Sequence, residues 1–188
     1  KTTLFDQKYP LTATDRGVVF VHWVPGNPLR TLANVTFLLL ADAIDAQRAD
    51  PDWLGRQGAS LRRAVEWLEG EITPEGLIQG GGFYVERPAR LEFDGVNQCY
   101  SCHALERAAH LFERVNEPAM VSRCRQAADR LREAFARWFW AGDHCVEYIH
   151  PERGPISHHG LTDVDWAAVA MGMLSQDRMA VVWSQLRD

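Results

Sequence analysis

The feature that most restricts what this chain can fold into is a spacing. Helix-opening signals come in pairs, and the pairs recur. Asn27-Pro28 opens the apolar-periodic segment PLRTLANVTFLLLADAI, a capping side chain followed by proline at the first helical position. Asp50-Pro51 opens a second segment that runs through LRRAVEWLEGEI. Asp94-Gly95 then leads into VNQCYSCHALERAAHLFERV, and Glu117-Pro118 into AMVSRCRQAADRLREAFARWFW. A third round starts at Thr162, which with Asp165 resembles a capping box. It continues as DVDWAAVAMGML, and Ser175 caps QDRMAVVWSQLRD. The first helices begin after Asn27, Asp94 and Thr162, 67 and then 68 residues apart, and the second helices after Asp50 and Glu117, again 67 apart. A regular period of helix pairs with little residue identity implies stacked αα-hairpins.

The connections divide by length. Those within a pair are a few residues, as antiparallel neighbours require. Those between pairs are long, Thr73 to Phe93 and Ala141 to Leu161, and each carries strand-like runs (GGFYVERPARLEF and HCVEYIHPERGPI). Alternation puts both long loops at one end of the bundle, above the N-termini of the first helices, where a helical scaffold carries its chemistry. The first helices are nearly uncharged, whereas the second are amphipathic (Arg62, Arg63, Glu66, Glu69; Arg123, Arg125, Arg130, Arg132, Glu133). That contrast predicts an inner row and an outer row. The expected class is all-α: αα-hairpins of an (α/α)-toroid, with β-hairpin-like loops on one face. Residues 1–26 read as an extended segment and 27–188 as the partial toroid.

Composition narrows the partners. A net charge of -5 supplies no phosphate-neutralising stripe, so nucleic acid is not expected. No apolar run is long enough to cross a bilayer, so no membrane is expected. Four cysteines in 188 residues do not form the framework of a small secreted domain, which leans towards a reducing, cytoplasmic compartment.

Several residues invite chemistry. Cys99-Tyr100-Ser101-Cys102-His103 is a C-x-x-C-H, the spacing that attaches c-type haem. Two small buried thiols on a helix are the plainer reading, with Cys99 near enough the helix start for a lowered pKa. Glu86, flanked by Tyr84 and Arg87, is the loop carboxyl best suited to general-acid work. Asp94 is a second carboxylate whose plainer use is a helix cap. Asp163 and Asp165 sit in a first helical turn, where carboxylates offset the dipole or accept from sugar hydroxyls. Asn97 and Trp166 offer polar and aromatic contacts. Trp23 is a stacking platform or a plug over the first hairpin. His158-His159, with His144 and His150 in the same loop, invite a metal reading, and His158 or His159 could instead serve as an acid/base group. Adjacent histidines in an extended segment point apart, so no metal site is expected, nor is any cofactor.

The segments LIQGGGFYVERP, NQCYSCHALERAAHLFERV, ADRLREAFARWFW and LTDVDWAAVAMGML together resemble six-hairpin (α/α)-toroid glycosidases, similar in character to α-L-rhamnosidase-like and glucoamylase-like glycoside hydrolases. The likeness spans about residues 27 to 188. It implies hydrolysis of a glycosidic bond by paired carboxylates, for which Glu86 and Asp94 are the catalytic candidates. Trp23, Tyr84, Arg87, Asn97, His158, His159, Asp163, Asp165 and Trp166 are then the substrate-binding set. Three hairpins of six implies completion of the ring by the remainder of the same polypeptide or by a second copy. The other readings are a sugar epimerase or isomerase using His158 or His159, a non-catalytic carbohydrate-binding remnant, and a haem protein.

Overall fold

A computed structural model describes residues 11–13, 19–21, 30–79, 93–157 and 163–186. The Asn27-Pro28 helix start, Thr162 and the strand-like run at residues 80–92 lie outside the described residues. Six helices follow one another among those described: α1 (Arg30–Arg48), α2 (Pro51–Glu71), α3 (Gly95–Arg114), α4 (Pro118–Trp138), α5 (Asp163–Ala170) and α6 (Gln176–Leu186). Strands β1 (Leu11–Ala13) and β2 (Val19–Val21) pair antiparallel. Strands β3 (Phe93–Asp94), β4 (Tyr148–His150) and β5 (Gly154–Ile156) form a three-stranded antiparallel sheet in the order β3-β4-β5.

The helix boundaries have local causes. Asp50 caps α2 by accepting the Trp53 N–H at 2.9 Å, and Asp94 caps α3 by accepting the Asn97 N–H at 3.0 Å. Glu117 makes no side-chain cap at α4; it ion-pairs with Arg62 of α2 instead. The α3–α4 turn closes on Asn116 at φ +57, whose N–H reaches the Glu113 carbonyl while that of Glu117 reaches Phe112. This is a Schellman stop with asparagine in the left-handed position. Gly172 (φ +62) ends α5 in the same way, with Met173 N–H on the Ala168 carbonyl at 2.9 Å. The third inner helix therefore ends at Ala170, four residues short of the run to Leu174 read from the sequence.

Helices α1, α3 and α5 pack side by side as an inner row, with α2 and α4 behind them. Leu38, Leu54, Leu61, Leu68, Leu105, Leu111, Phe112, Leu131 and Phe135 fill the space between the rows. Salt bridges bolt α1 to α3: Arg107 grips Asp42 through two hydrogen bonds of 2.7 and 3.0 Å, and Arg114 meets Asp45 at 2.6 Å. The inner helices are not buried all round, as their composition had suggested. Leu40 on α1 is 56% exposed and Trp166 on α5 is 54% exposed, so one side of this row faces outward.

Candidate functional site

The β3-β4-β5 sheet lies at the N-terminal end of α3, as the alternation of long and short loops required. Asp94 is both the last residue of β3 and the cap of α3, and it is 1% exposed. Gly95 donates its N–H to the Glu147 carbonyl at 2.9 Å, which ties the head of α3 to the chain entering β4. Two residues earlier, the Cys145 N–H donates to the Asp165 carboxylate at 2.7 Å, which ties the same chain to the first turn of α5. The heads of α3 and α5 and the sheet are thus joined by one main-chain bond and one bond from the main chain to the Asp165 carboxylate. Gly95 allows their close approach, because a Cβ there would meet Val164 Cγ1 at 2.6 Å and Phe139 Cδ1 at 3.1 Å.

The loop stem after α2 is anchored as firmly. Gly76 takes φ +81 in the turn from Thr73 to Leu77, where a Cβ would lie 2.7 Å from the Arg130 carbonyl oxygen. The fully buried Gln98 of α3 accepts the Ile78 N–H at 3.0 Å and donates to the Gly76 and Leu131 carbonyls at 2.8 and 2.9 Å. Thr31 of α1 donates to the Gln79 carbonyl at 2.8 Å. The chain leading into residues 80–92 is held between α1, α3 and α4.

Of the residues singled out from the sequence, Trp23, Tyr84, Glu86, Arg87, His158 and His159 lie outside the described residues. The structure brings Asp94, Asp163, Asp165 and Trp166 to one end of the inner row, in three settings. Asp165 is fully buried and engaged with Cys145. Asp94 is buried as a cap. Asp163 is exposed, and Trp166 stands three residues on, on the same side of the helix. Asn97 is 1% exposed and shares its side of α3 with Ser101, Leu105 and Ala108, the side that enters the core. The partly exposed side of α3 carries His103, Arg107 and His110.

Glu147 was not foreseen. It is a carboxylate at 4% exposure beside the sheet. Asp94 pairs with Tyr148 in the β3-β4 register. Continuing that ladder sets Glu147 opposite Gly95, so alternation puts the Asp94 and Glu147 side chains on opposite faces. Its position between Cys145 and Tyr148, both in a quoted strand-like run, was the available signal.

The C-x-x-C-H spacing resolves into packing. Cys99 and Cys102 have no exposed surface, and the Cys102 thiol reaches the Ala128 carbonyl of α4 at 3.4 Å. Thioether attachment would require both sulfurs at the edge of a porphyrin, and here they fill the α3–α4 seam. The lowered Cys99 pKa expected from the helix start is also corrected. Burial, reinforced by Cys145, Cys102 and Asp94, pushes that thiol well above its ordinary range. Burial raises Cys102 and Cys124 to about 12, and burial together with Asp165 raises Cys145. His103 moves down, mainly through burial, against the pull of Glu106.

Two outcomes follow for these thiols. Native protein at pH 8 is expected to resist alkylation at all four cysteines and to react once unfolded; fast native labelling of Cys99 would contradict this burial. Between about pH 8.5 and the raised folded values, the unfolded chain gives up thiol protons that the folded chain keeps. Stability is therefore full below that range and falls as pH rises through it, by about 1.4 kcal/mol per pH unit for each thiol. Urea midpoints at pH 7 and 9.5 measure it, with a Cys102→Ala variant expected to show a shallower fall.

No protein-family model matches this sequence. No curated protein matches it either. Among solved structures, a GH78 family rhamnosidase of Bacillus sp. GL1 superposes with a TM-score of 0.74 at 15% identity, over 83% of this chain and 17% of that one. An α-L-rhamnosidase from Dictyoglumus thermophilum superposes with a TM-score of 0.66 at 14% identity, over 92% of this chain and 20% of that one. The chain thus spans about a fifth of the length of these neighbours. The resemblance read from the helix motifs holds at the level of fold: this chain has the all-α hairpin architecture found in part of those rhamnosidases.

Proposed function

We propose that this chain is part of a carbohydrate-active enzyme that binds a sugar at the heads of α3 and α5 and takes part in hydrolysing a glycosidic bond. The observation that carries the reading is Trp166. Trp53, Trp67, Trp138 and Trp140 pack against the core, whereas Trp166 and Trp183 keep 54% and 48% of their surface exposed; Trp183 stands in the second half of α6, and Trp166 in the first turn of α5 beside the exposed Asp163. An aromatic face with an adjacent carboxylate is the chemistry that receives a pyranose: the ring stacks its C–H face while the carboxylate accepts from a hydroxyl. The two structural neighbours are rhamnosidases, so L-rhamnose and α-L-rhamnosides are the first ligands to try. Glu86 is the candidate general acid and Asp94 its partner carboxylate in this reading.

The test is turnover of an aryl α-L-rhamnoside panel by the full natural polypeptide and its Trp166→Ala variant. Loss of one stacking contact is expected to raise KM about tenfold, corresponding to roughly 1.4 kcal/mol, with the melting temperature unchanged. Equal KM values for the two proteins would remove Trp166 from the site. Absence of turnover and of sugar binding across the panel would overturn the reading itself.

A further inference from the structure

The loop that joins α4 to β4 carries Asp143 and His144, and the residue after β5 is Ser157; the three side chains stand in series. His144 Nδ1 lies 2.6 Å from Asp143 Oδ1, and His144 Nε2 lies 2.9 Å from Ser157 Oγ. The tautomer that satisfies both neighbours carries its proton on Nδ1, which donates to the Asp143 carboxylate. The lone pair of Nε2 is then directed at the Ser157 hydroxyl, which donates to it. This is the order nucleophile, base and orienting carboxylate.

The main chain fixes both ends of the series. Ala141 N–H reaches the His144 carbonyl at 2.9 Å, and Trp140 pairs with Cys145 in an isolated bridge. The Cys145 N–H is held by Asp165, and the Asp143 carbonyl accepts from Gln185 of α6 at 3.2 Å. Ser157 follows directly on β5, where the Ile156 carbonyl accepts the Glu147 N–H at 3.0 Å. His144 is mostly covered, with 21% of its side chain exposed, whereas Ser157 is exposed. The base is held in place beside a surface serine.

We propose that Ser157 is an activated nucleophile, with His144 as its general base and Asp143 as the group that orients the base, and that the site accepts short-chain carboxylic esters. In the acyl-transfer step Ser157 Oγ bonds to the ester carbonyl carbon as its proton passes to His144 Nε2. The carbon–oxygen bond to the alcohol breaks, and the imidazolium returns the proton to the departing alcohol. Water, deprotonated by the same nitrogen, then attacks the acyl-serine carbonyl carbon; the carbon–Oγ bond breaks, the proton returns from Nε2 to Ser157 Oγ, and the acid leaves. The reaction uses neither Trp166 nor the glycosidic carboxylates, and stands or falls independently of the glycosidic reaction.

The experiment is treatment with an alkyl fluorophosphonate, in which Oγ–P forms, P–F breaks and fluoride leaves. It is followed by intact mass and peptide mapping, alongside p-nitrophenyl acetate hydrolysis. One adduct on Ser157 is expected in the wild type and none in Ser157→Ala. His144→Gln can keep hydrogen bonds to both neighbours but cannot act as a base, and its labelling rate is expected to fall at least about 100-fold. Asp143→Asn is expected to slow labelling by a smaller factor. Failure to label Ser157, or labelling of His144→Gln at the wild-type rate, overturns the proposal. An unchanged circular-dichroism melt of His144→Gln excludes loss of fold as the cause.

Discussion

Replacing Gln98 with leucine is expected to lower the unfolding free energy by about 3 kcal/mol and the melting temperature by roughly 6–12 °C. The leucine would fit the volume, so the loss comes from polar groups left behind. Gln98 is fully buried, and its amide serves the Ile78 N–H and the Gly76 and Leu131 carbonyls. Leucine strands the Ile78 donor in the core and removes the donor that serves the Gly76 and Leu131 carbonyls. A buried donor without a partner costs more than a hydrogen bond contributes when made. The control is Gln126→Leu on the exposed side of α4, where a shift within about 0.5 kcal/mol is expected. Urea unfolding followed by circular dichroism measures both. A Gln98→Leu midpoint equal to the wild type would mean that Gln98 does not anchor the loop stem.

Gly95→Ala carries the second large effect, and its interest lies in the sign. Alanine normally favours a helix over glycine by up to about 1 kcal/mol. At Gly55 and Gly70 of α2 nothing lies within 4 Å of an added Cβ, so alanine there is expected to stabilise by about 0.5–1 kcal/mol. At Gly95 the same methyl meets Val164 at 2.6 and 2.9 Å and Phe139 at 3.1 Å. Overpacking of that kind costs about 1–3 kcal/mol, so a net loss of about 2 kcal/mol is expected. The strain falls on the contact between the heads of α3 and α5, so the emission of Trp166, two residues after Val164, is expected to shift as well. A Gly95→Ala protein as stable as Gly55→Ala would contradict the close approach of these helices.

The hairpin period was legible because its signals are local. Asp50, Pro51, Asp94 and Pro118 act within one turn of the helix they open, and each helix starts where the spacing put it. The early stop of α5 was missed because a Met-Gly step inside an apolar run reads as helix until Gly172 takes a positive φ. The outward side of the inner row was missed for a different reason. Composition reports how apolar a helix is, but whether Leu40 and Trp166 find partners depends on what stands next to them. At the candidate site, Asp94 and Asp165 could be recognised as residues of a helix head, and the main-chain donor in the distant loop that Asp165 receives could not. Gln98 and the pairing of His144 with Ser157 gave no sequence signal, since their partners lie 13 to 33 residues away with no fixed spacing.

Titration of ¹⁵N-labelled protein with L-rhamnose decides whether the heads of the inner helices form the ligand face. The described residues offer a competing location: a groove of about 480 Å³ at the opposite end of the α3–α4 hairpin, lined by Glu113, Asn116, Ser122, Arg125 and Asp129 among others. Shifts confined to the Trp166 indole and the amides of Asp163, Asp165 and their neighbours at the head of α3 are expected. Shifts gathered at Asn116 to Asp129 with the α5 head silent would contradict that ligand face.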